Sequence, residues 1–230
     1  MLKKLLVVAV LAASLAACSS GRTDEQLIEA GWVLNPAENG YVFHKELPAT
    51  IDTTKKYKPS ADAAEVACAA GVYSAACSSI NVDNLDEYLN RSDVVYIDLR
   101  DYKDYTQKHF KNFEVIPYFA FIFNKDANTD ESLVQLYGGE PTAPVAVYKE
   151  SDAILNAIFP KDKTIFLMCQ SGARVVWMMQ ILEAKGYDMS KIYNVGGVGQ
   201  YSASKYAPFI TDSAEFRIEA TYSLDGATRN

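Results

Sequence analysis

The residues best suited to chemistry form one short polar segment, Cys169-Gln170-Ser171-Gly172-Ala173-Arg174. An apolar run with β-branched and aromatic members, residues 164–168, precedes Cys169, and a largely apolar stretch follows Arg174. This pattern predicts a strand, a loop and a buried helix, with Cys169 where the strand meets the helix. Backbone N–H groups lack partners at a helix start, and the helix dipole favours negative charge there. Both effects favour a thiolate nucleophile at Cys169, and Arg174 adds a cation for an anionic substrate.

A second apolar run, residues 94–99, predicts a strand that helps to position this loop. The run ends in Asp98-Leu99-Arg100, which places a carboxylate and a guanidinium at one strand end. Such groups most often pair with each other or with nearby backbone. We therefore expect Asp98 and Arg100 to have a structural rather than a catalytic role.

A third strand is predicted over residues 192–195, and Gly196 and Gly197 follow it. Glycines at a strand end are able to cradle a phosphate, but no Lys-Ser or Lys-Thr pair follows them here. A tight turn that lets the backbone approach the Cys169 loop accounts better for both glycines.

Length and charge restrict the class of protein. The chain has 230 residues and a net charge of −7. This length suits one hydrophobic core with an appended region. Because the balance is acidic, nucleic acid is not an expected partner.

The amino terminus has the pattern of an export signal. Two lysines precede an apolar stretch, residues 5–17, that is too short for a membrane-spanning helix. Its end, Leu-Ala-Ala-Cys, resembles the lipobox of bacterial lipoproteins, which implies cleavage after residue 17 and a lipid on Cys18. An ordinary signal peptide with a chance cysteine is the alternative. The lipid would anchor the protein in the bacterial cell envelope, and Ser19 favours the outer membrane, facing the periplasm, in a Gram-negative host.

The other cysteines divide unevenly once Cys18 is assigned to a lipid. Cys68 and Cys77 lie close together in the sequence, and an oxidising compartment favours a disulfide between them. We expect that disulfide to be structural, with a redox-active pair as the alternative. Cys169 is then the odd thiol, which is either reactive or a buried, inert cysteine.

The regions outside the core pattern carry no recognisable chemistry. Residues 18–79 are expected to be a linker and an extension, with a hairpin formed by residues 31–34 and 41–45. Residues 119–149 resemble an insertion, with a helix at 133–137 and a strand at 145–148; it is either a surface elaboration or a lid over Cys169. Residues 207–230 form a tail with an edge strand at 216–222.

Three segments occur in a familiar order: residues 94–100, 169–174 and 195–197. Over about residues 80–206 the chain resembles a rhodanese-like sulfurtransferase domain. The resemblance implies a three-layer α/β fold, with a parallel five-stranded sheet flanked by helices. It also implies that Cys169 carries a persulfide. In the phosphatase relatives the loop is longer, whereas here four residues separate Cys169 from Arg174, which suits a bound persulfide better than a phosphoryl group.

The implied reaction moves sulfane sulfur from a small sulfur-containing anion, such as thiosulfate or a persulfide, to a thiol or to cyanide. Arg174 and the loop N–H groups would orient the donor, Ser171 would bond the sulfur, Gly172 would allow the turn, and Gln170 would face the entrance. No metal or organic cofactor is implied. Two alternatives stay open: a non-catalytic module that binds an envelope protein, and a thiol oxidoreductase that uses Cys169 with Cys68 or Cys77.

Overall fold

The computed structural model describes residues 69–89, 91, 93–213, 224 and 226–230. It also describes the backbone of two strands, β1 (Trp32–Asn35) and β2 (Val42–Lys45). These strands pair antiparallel with Trp32 opposite Lys45, which confirms the predicted hairpin. The predictions for Cys18, Cys68 and the strand at 216–222 lie outside the described residues. In the described part of the chain, no helix is long and apolar enough to cross a membrane.

The remaining elements are a mixture of strands and helices, as the sequence predicts. The helices are α1 (Tyr102–Gln107), α2 (Ser151–Ile158) and α3 (Ala173–Ala184). The strands are β3 (Val94–Asp98), β4 (His109–Phe110), β5 (Glu114–Val115), β6 (Tyr137–Glu140), β7 (Ala143–Ala146), β8 (Thr164–Cys169), β9 (Ile192–Gly197) and β10 (Ile210–Thr211).

The central sheet is parallel and has the order β5-β3-β8-β9. Within the described residues it has four strands, where the family resemblance implies five. Side chains alternate between the two faces of a strand. In β8, Ile165 and Leu167 accordingly join the core under α3, whereas Phe166 and Met168 join a second core on the opposite face. The protein is therefore a mixed α/β fold, with the sheet between two layers.

The helix α3 packs on this sheet through Val175, Met178 and Leu182, all of which are buried. Their spacing of three or four residues is that of one helix face. The helix ends where the backbone reverses at Gly186, which has a φ of +74°. Glycine adopts this left-handed conformation without a steric penalty, as expected for a helix C-terminus.

The insertion, residues 119–149, differs from the prediction. The helix expected at 133–137 is wrong, because Tyr137 begins β6, which pairs antiparallel with β7. Gly138 explains the difference, because a Cβ atom there would lie 2.3 Å from the Asn128 side chain. Only glycine allows the two chain segments to approach each other this closely. The strand expected at 145–148 is present at Ala143–Ala146. The chain segment that leads to β6 begins with a π-helical turn, Tyr118–Ile122.

Candidate active site

Cys169 is the last residue of β8 and is buried, with 1% of its surface exposed. The pairing of β8 with β9 shifts at this point, because Leu167 pairs with Asn194 but Cys169 pairs with Gly197. The strand β9 therefore has one more residue than β8 over this interval, which is a β-bulge. Gly196 occupies the bulge with a φ of +84°. Cys169 is a free thiol, and it stands at the carboxyl edge of the sheet where the regular ladder ends.

The loop after Cys169 turns back over the sulfur atom. The backbone N–H of Gly172 donates a hydrogen bond to Sγ of Cys169 at a nitrogen–sulfur distance of 3.1 Å. Gly172 has a φ of +93° and is the N-cap of α3, so this turn needs a residue without a Cβ atom. Gln170, Ser171 and Ala173 are exposed. The loop therefore directs a backbone donor to the sulfur, which stabilises negative charge on it.

The turn after β9 meets the loop backbone directly. A Cβ atom on Gly197 would lie 2.1 Å from the carbonyl oxygen of Gln170 and 2.7 Å from Cα of Ser171. Real Cβ atoms do not approach other atoms so closely, so only glycine fits without moving the loop. Gly197 thus makes the predicted close approach to the Cys169 loop, whereas a Cβ atom on Gly196 would instead meet the Gln200 side chain at 2.2 Å.

Asn194 is a part of this site that the sequence reasoning missed. Its Nδ2 donates to the carbonyl oxygens of Gly172, at 3.2 Å, and of Tyr73, at 2.8 Å. Its Oδ1 accepts from the N–H of Gly196 at 2.9 Å. Asn194 is the one amide side chain in a strand whose residues are all buried. An asparagine in an apolar strand is the sequence signal for this role, because a buried amide requires hydrogen-bond partners.

The amino-terminal extension takes part in these contacts through residues 73–77. Ala75 lies beside the loop, since a Cβ atom on Gly172 would be 3.4 Å from the Ala75 methyl group. Burial raises the pKa of Tyr73 to about 12, and the Glu183 carboxylate on α3 adds to the rise. Cys77 is disulfide-bonded. Its expected partner, Cys68, lies outside the described residues, so that pairing stays a prediction.

Arg174 leaves the first turn of α3 and is half-buried. Its guanidinium carbon lies 5.7 Å from the centre of the Phe119 ring, in a cation–π contact. Its Nη1 is 3.5 Å from the carbonyl oxygen of Leu99, which is a long hydrogen bond. Phe119 is the first residue of the predicted insertion, so the insertion touches the loop cation. Whether the insertion closes over Cys169 stays a prediction.

Asp98 and Arg100 form a buried ion pair behind the loop. Nη2 of Arg100 lies 2.6 Å from Oδ2 of Asp98, and both side chains are at most 2% exposed. The guanidinium also donates to the carbonyl oxygens of Asp104 and Lys108. The pair thereby fixes the backbone around Leu99, which Arg174 contacts. The expectation that these charges pair with each other and with backbone agrees with this geometry.

A parallel α/β sheet flanked by helices, with a cysteine at the end of a central strand before a helix, is consistent with the rhodanese fold. The family model for the Rhodanese-like domain matches residues 81–204 of the sequence, which is more than half of the chain. The chain therefore belongs to that family. No curated protein and no solved structure matches the chain significantly.

Proposed function

We propose that this protein is a sulfurtransferase in which Cys169 carries sulfane sulfur as a persulfide. The observation that supports this most directly is the hydrogen bond from the Gly172 N–H to Sγ of the free Cys169, 3.1 Å long. A backbone donor held at this distance favours an anionic sulfur, and a persulfide is mostly an anion near neutral pH. Arg174, at the end of the short loop, supplies the cation that an anionic donor requires.

In the first half-reaction, the Cys169 thiolate attacks the outer sulfur of thiosulfate. A bond forms between Sγ and that sulfur, while the sulfur–sulfur bond of thiosulfate breaks and sulfite leaves with its electron pair. The product is the anionic persulfide of Cys169. Arg174 orients the donor, because its guanidinium matches the charge of the sulfonate oxygens.

In the second half-reaction, a nucleophilic acceptor removes the outer sulfur. Cyanide or a thiolate attacks that sulfur, the bond to Sγ breaks, and its electron pair returns to Cys169 as a thiolate. The acceptor leaves as thiocyanate or as a persulfide. The two steps balance without an external oxidant or reductant.

Turnover tests the proposal. The protein is incubated with thiosulfate and cyanide, and thiocyanate and sulfite are measured together. We expect equal amounts of the two products, and we expect Cys169→Ser to abolish both while its circular dichroism stays that of the wild type. A wild type that forms the products no faster than the uncatalysed background would contradict the proposal and leave a non-catalytic module with a rhodanese fold.

We also propose that the protein acts in the bacterial cell envelope, attached by a lipid on Cys18. The pattern of residues 1–18 supports this location. Metabolic labelling with a fatty acid in a bacterial host tests it. Label on the wild type and none on Cys18→Ser is expected, whereas a mature, exported and unlabelled wild type would contradict it.

A further inference from the structure

Two aromatic side chains are exposed next to the candidate active site. Phe119 is 46% and Trp177 is 41% exposed, and their ring centres lie 6.0 Å apart in a T-shaped contact. Burying such rings is favourable, so a pair of them left in water beside a reactive loop marks a surface that a ligand covers.

The two rings belong to a cleft of about 420 Å³. Its aromatic wall consists of Tyr118, Phe119, Phe123 and Trp177, and Lys125 and Glu140 also line it. The Tyr118 hydroxyl is buried and has no hydrogen-bond partner among the described residues. A cleft of this volume is suited to a small molecule rather than to a folded partner.

The cleft adjoins the sulfur loop through shared residues. Phe119 contacts both the Arg174 guanidinium and the Trp177 ring. Arg174 and Trp177 are three residues apart on α3, so their side chains lie on one face of the helix, about one turn apart. A ligand in the cleft therefore lies next to Arg174, the cation that follows the Cys169 loop.

The charges of the cleft indicate the chemistry of the ligand. Lys125 and Glu140 are both exposed, and neither side chain forms an ion pair in the part of the chain that the structure describes. The N–H of Gly139 bonds the carbonyl oxygen of Lys125 at 2.8 Å, which brings the two charged residues to neighbouring backbone positions. Arg174 borders the cleft through its contact with Phe119. The cleft and its border therefore carry two cations, Lys125 and Arg174, and one anion, Glu140. This set complements a molecule with two carboxylates and one ammonium.

We propose that the cleft binds the acceptor of the second half-reaction, and that this acceptor is a short peptidic thiol with two carboxylates and one ammonium. The proposal rests on the proposed sulfurtransferase function. The acceptor's body lies against Phe119 and Trp177, and its carboxylates face Arg174 and Lys125. Its thiolate attacks the outer sulfur on Cys169, the bond to Sγ breaks, and the acceptor leaves as a persulfide. Glutathione is the probe of this class.

Binding is tested without any reaction by using S-methylglutathione, which has no thiol. Titration of the unloaded protein is followed by tryptophan fluorescence, because Trp177 lines the cleft. We expect a saturable change with a dissociation constant of about 1 mM, a weak affinity suited to an exposed site. Losing a charged hydrogen bond is expected to weaken binding about fivefold or more in Lys125→Ala. Lys103→Ala removes an exposed lysine from α1 and is the matched control.

A kinetic comparison adds a readout that general damage would not give. The KM for glutathione and the KM for cyanide are measured with thiosulfate as donor, and sulfur loading of Cys169 is measured separately. We expect Trp177→Ala to raise the KM for glutathione several-fold more than the KM for cyanide. Val134→Ala removes an exposed side chain from the same insertion without touching the cleft, and it should change neither.

The outcomes separate the two proposals. Binding of S-methylglutathione by a protein that never loads sulfur would support the cleft and contradict the sulfurtransferase function. Normal loading with no S-methylglutathione binding and equal KM changes for both acceptors would overturn the cleft. A protein thiol that depends on Trp177 while glutathione does not would also overturn the assignment to a small ligand.

Discussion

Asn194 holds Gly172 in place: its Nδ2 donates to the Gly172 carbonyl oxygen at 3.2 Å, while the same nitrogen bonds the Tyr73 carbonyl oxygen at 2.8 Å. One buried amide thus joins the sheet, the loop that turns over Cys169 and the amino-terminal extension. Gly172 is thereby held at its carbonyl by Asn194 while its N–H bonds the sulfur, and the same Asn194 nitrogen contacts the extension at Tyr73. The extension is therefore part of the candidate site.

The exchange Asn194→Asp removes both donors and keeps the shape of the side chain. Unpaired buried carbonyls destabilise a fold by about 1–3 kcal/mol, and the loop should also lose its orientation. We expect the loading rate of Cys169 with thiosulfate to fall about tenfold, measured in a single turnover. Asn81→Asp is the control, because Asn81 is also buried but bonds Ser78. Equal loading by the two variants would show that Asn194 does not position the loop.

The exchange Gly197→Ala introduces a methyl group at the position occupied by the Gln170 carbonyl. We expect the loop to shift and sulfur loading to be lost, with destabilisation of about 1–3 kcal/mol, as for other overpacked sites. Gly199→Ala is the matched control, because a Cβ atom there meets nothing within 4 Å. Thermal unfolding and loading are measured together. A Gly197→Ala protein as active as Gly199→Ala would contradict the close approach.

The exchange Asp98→Ala leaves Arg100 buried without its carboxylate. Breaking a buried ion pair in this way is expected to lower the free energy of unfolding by about 3–5 kcal/mol. Asp93→Ala is the comparison, since Asp93 pairs with Arg91 at 2.6 Å but is 58% exposed. An exposed pair contributes about 0–1 kcal/mol. Urea unfolding measures both values, and similar losses would refute the structural importance of the buried pair.

His109 makes stability depend on pH. Burial lowers its pKa below the ordinary value of 6.5, even though the Tyr105 carbonyl accepts a hydrogen bond from its ring. The unfolded chain then binds a proton more readily than the folded protein, so the free energy of unfolding falls as the pH drops below 6.5. Urea unfolding at about pH 7.5 and about pH 5.5 should show a smaller decrease for His109→Gln than for the wild type. An equal decrease in both proteins would assign the dependence to other groups.

The sequence was sufficient for the parts of the site that local pattern determines. An apolar run, a short polar segment and a second apolar run predict the strand, loop and helix around Cys169, because each element is specified by adjacent residues. The Asp98 and Arg100 pair was predictable for the same reason. The close approach at Gly197 was predictable because two glycines at a strand end have few other uses.

Contacts between distant residues were not predictable. The hydrogen bond from Asn194 to Tyr73 joins residues 121 positions apart, and no local pattern indicates which carbonyl an amide will meet. The helix expected at 133–137 was wrong because the pairing of β6 with β7 outweighs local helix propensity. The contact between Arg174 and Phe119 likewise depends on the path of the insertion.

Whether Cys169 carries sulfur is decided by the intact mass of the protein after incubation with thiosulfate and removal of excess donor. We predict an increase of one sulfur atom on the wild type, reversed by cyanide with release of thiocyanate. Cys169→Ser, which keeps a hydroxyl in place of the thiol, should show no increase. A wild type that gains no sulfur from thiosulfate or from a persulfide donor, or a Cys169→Ser protein that gains it equally, would contradict the assignment of Cys169 as the sulfur carrier.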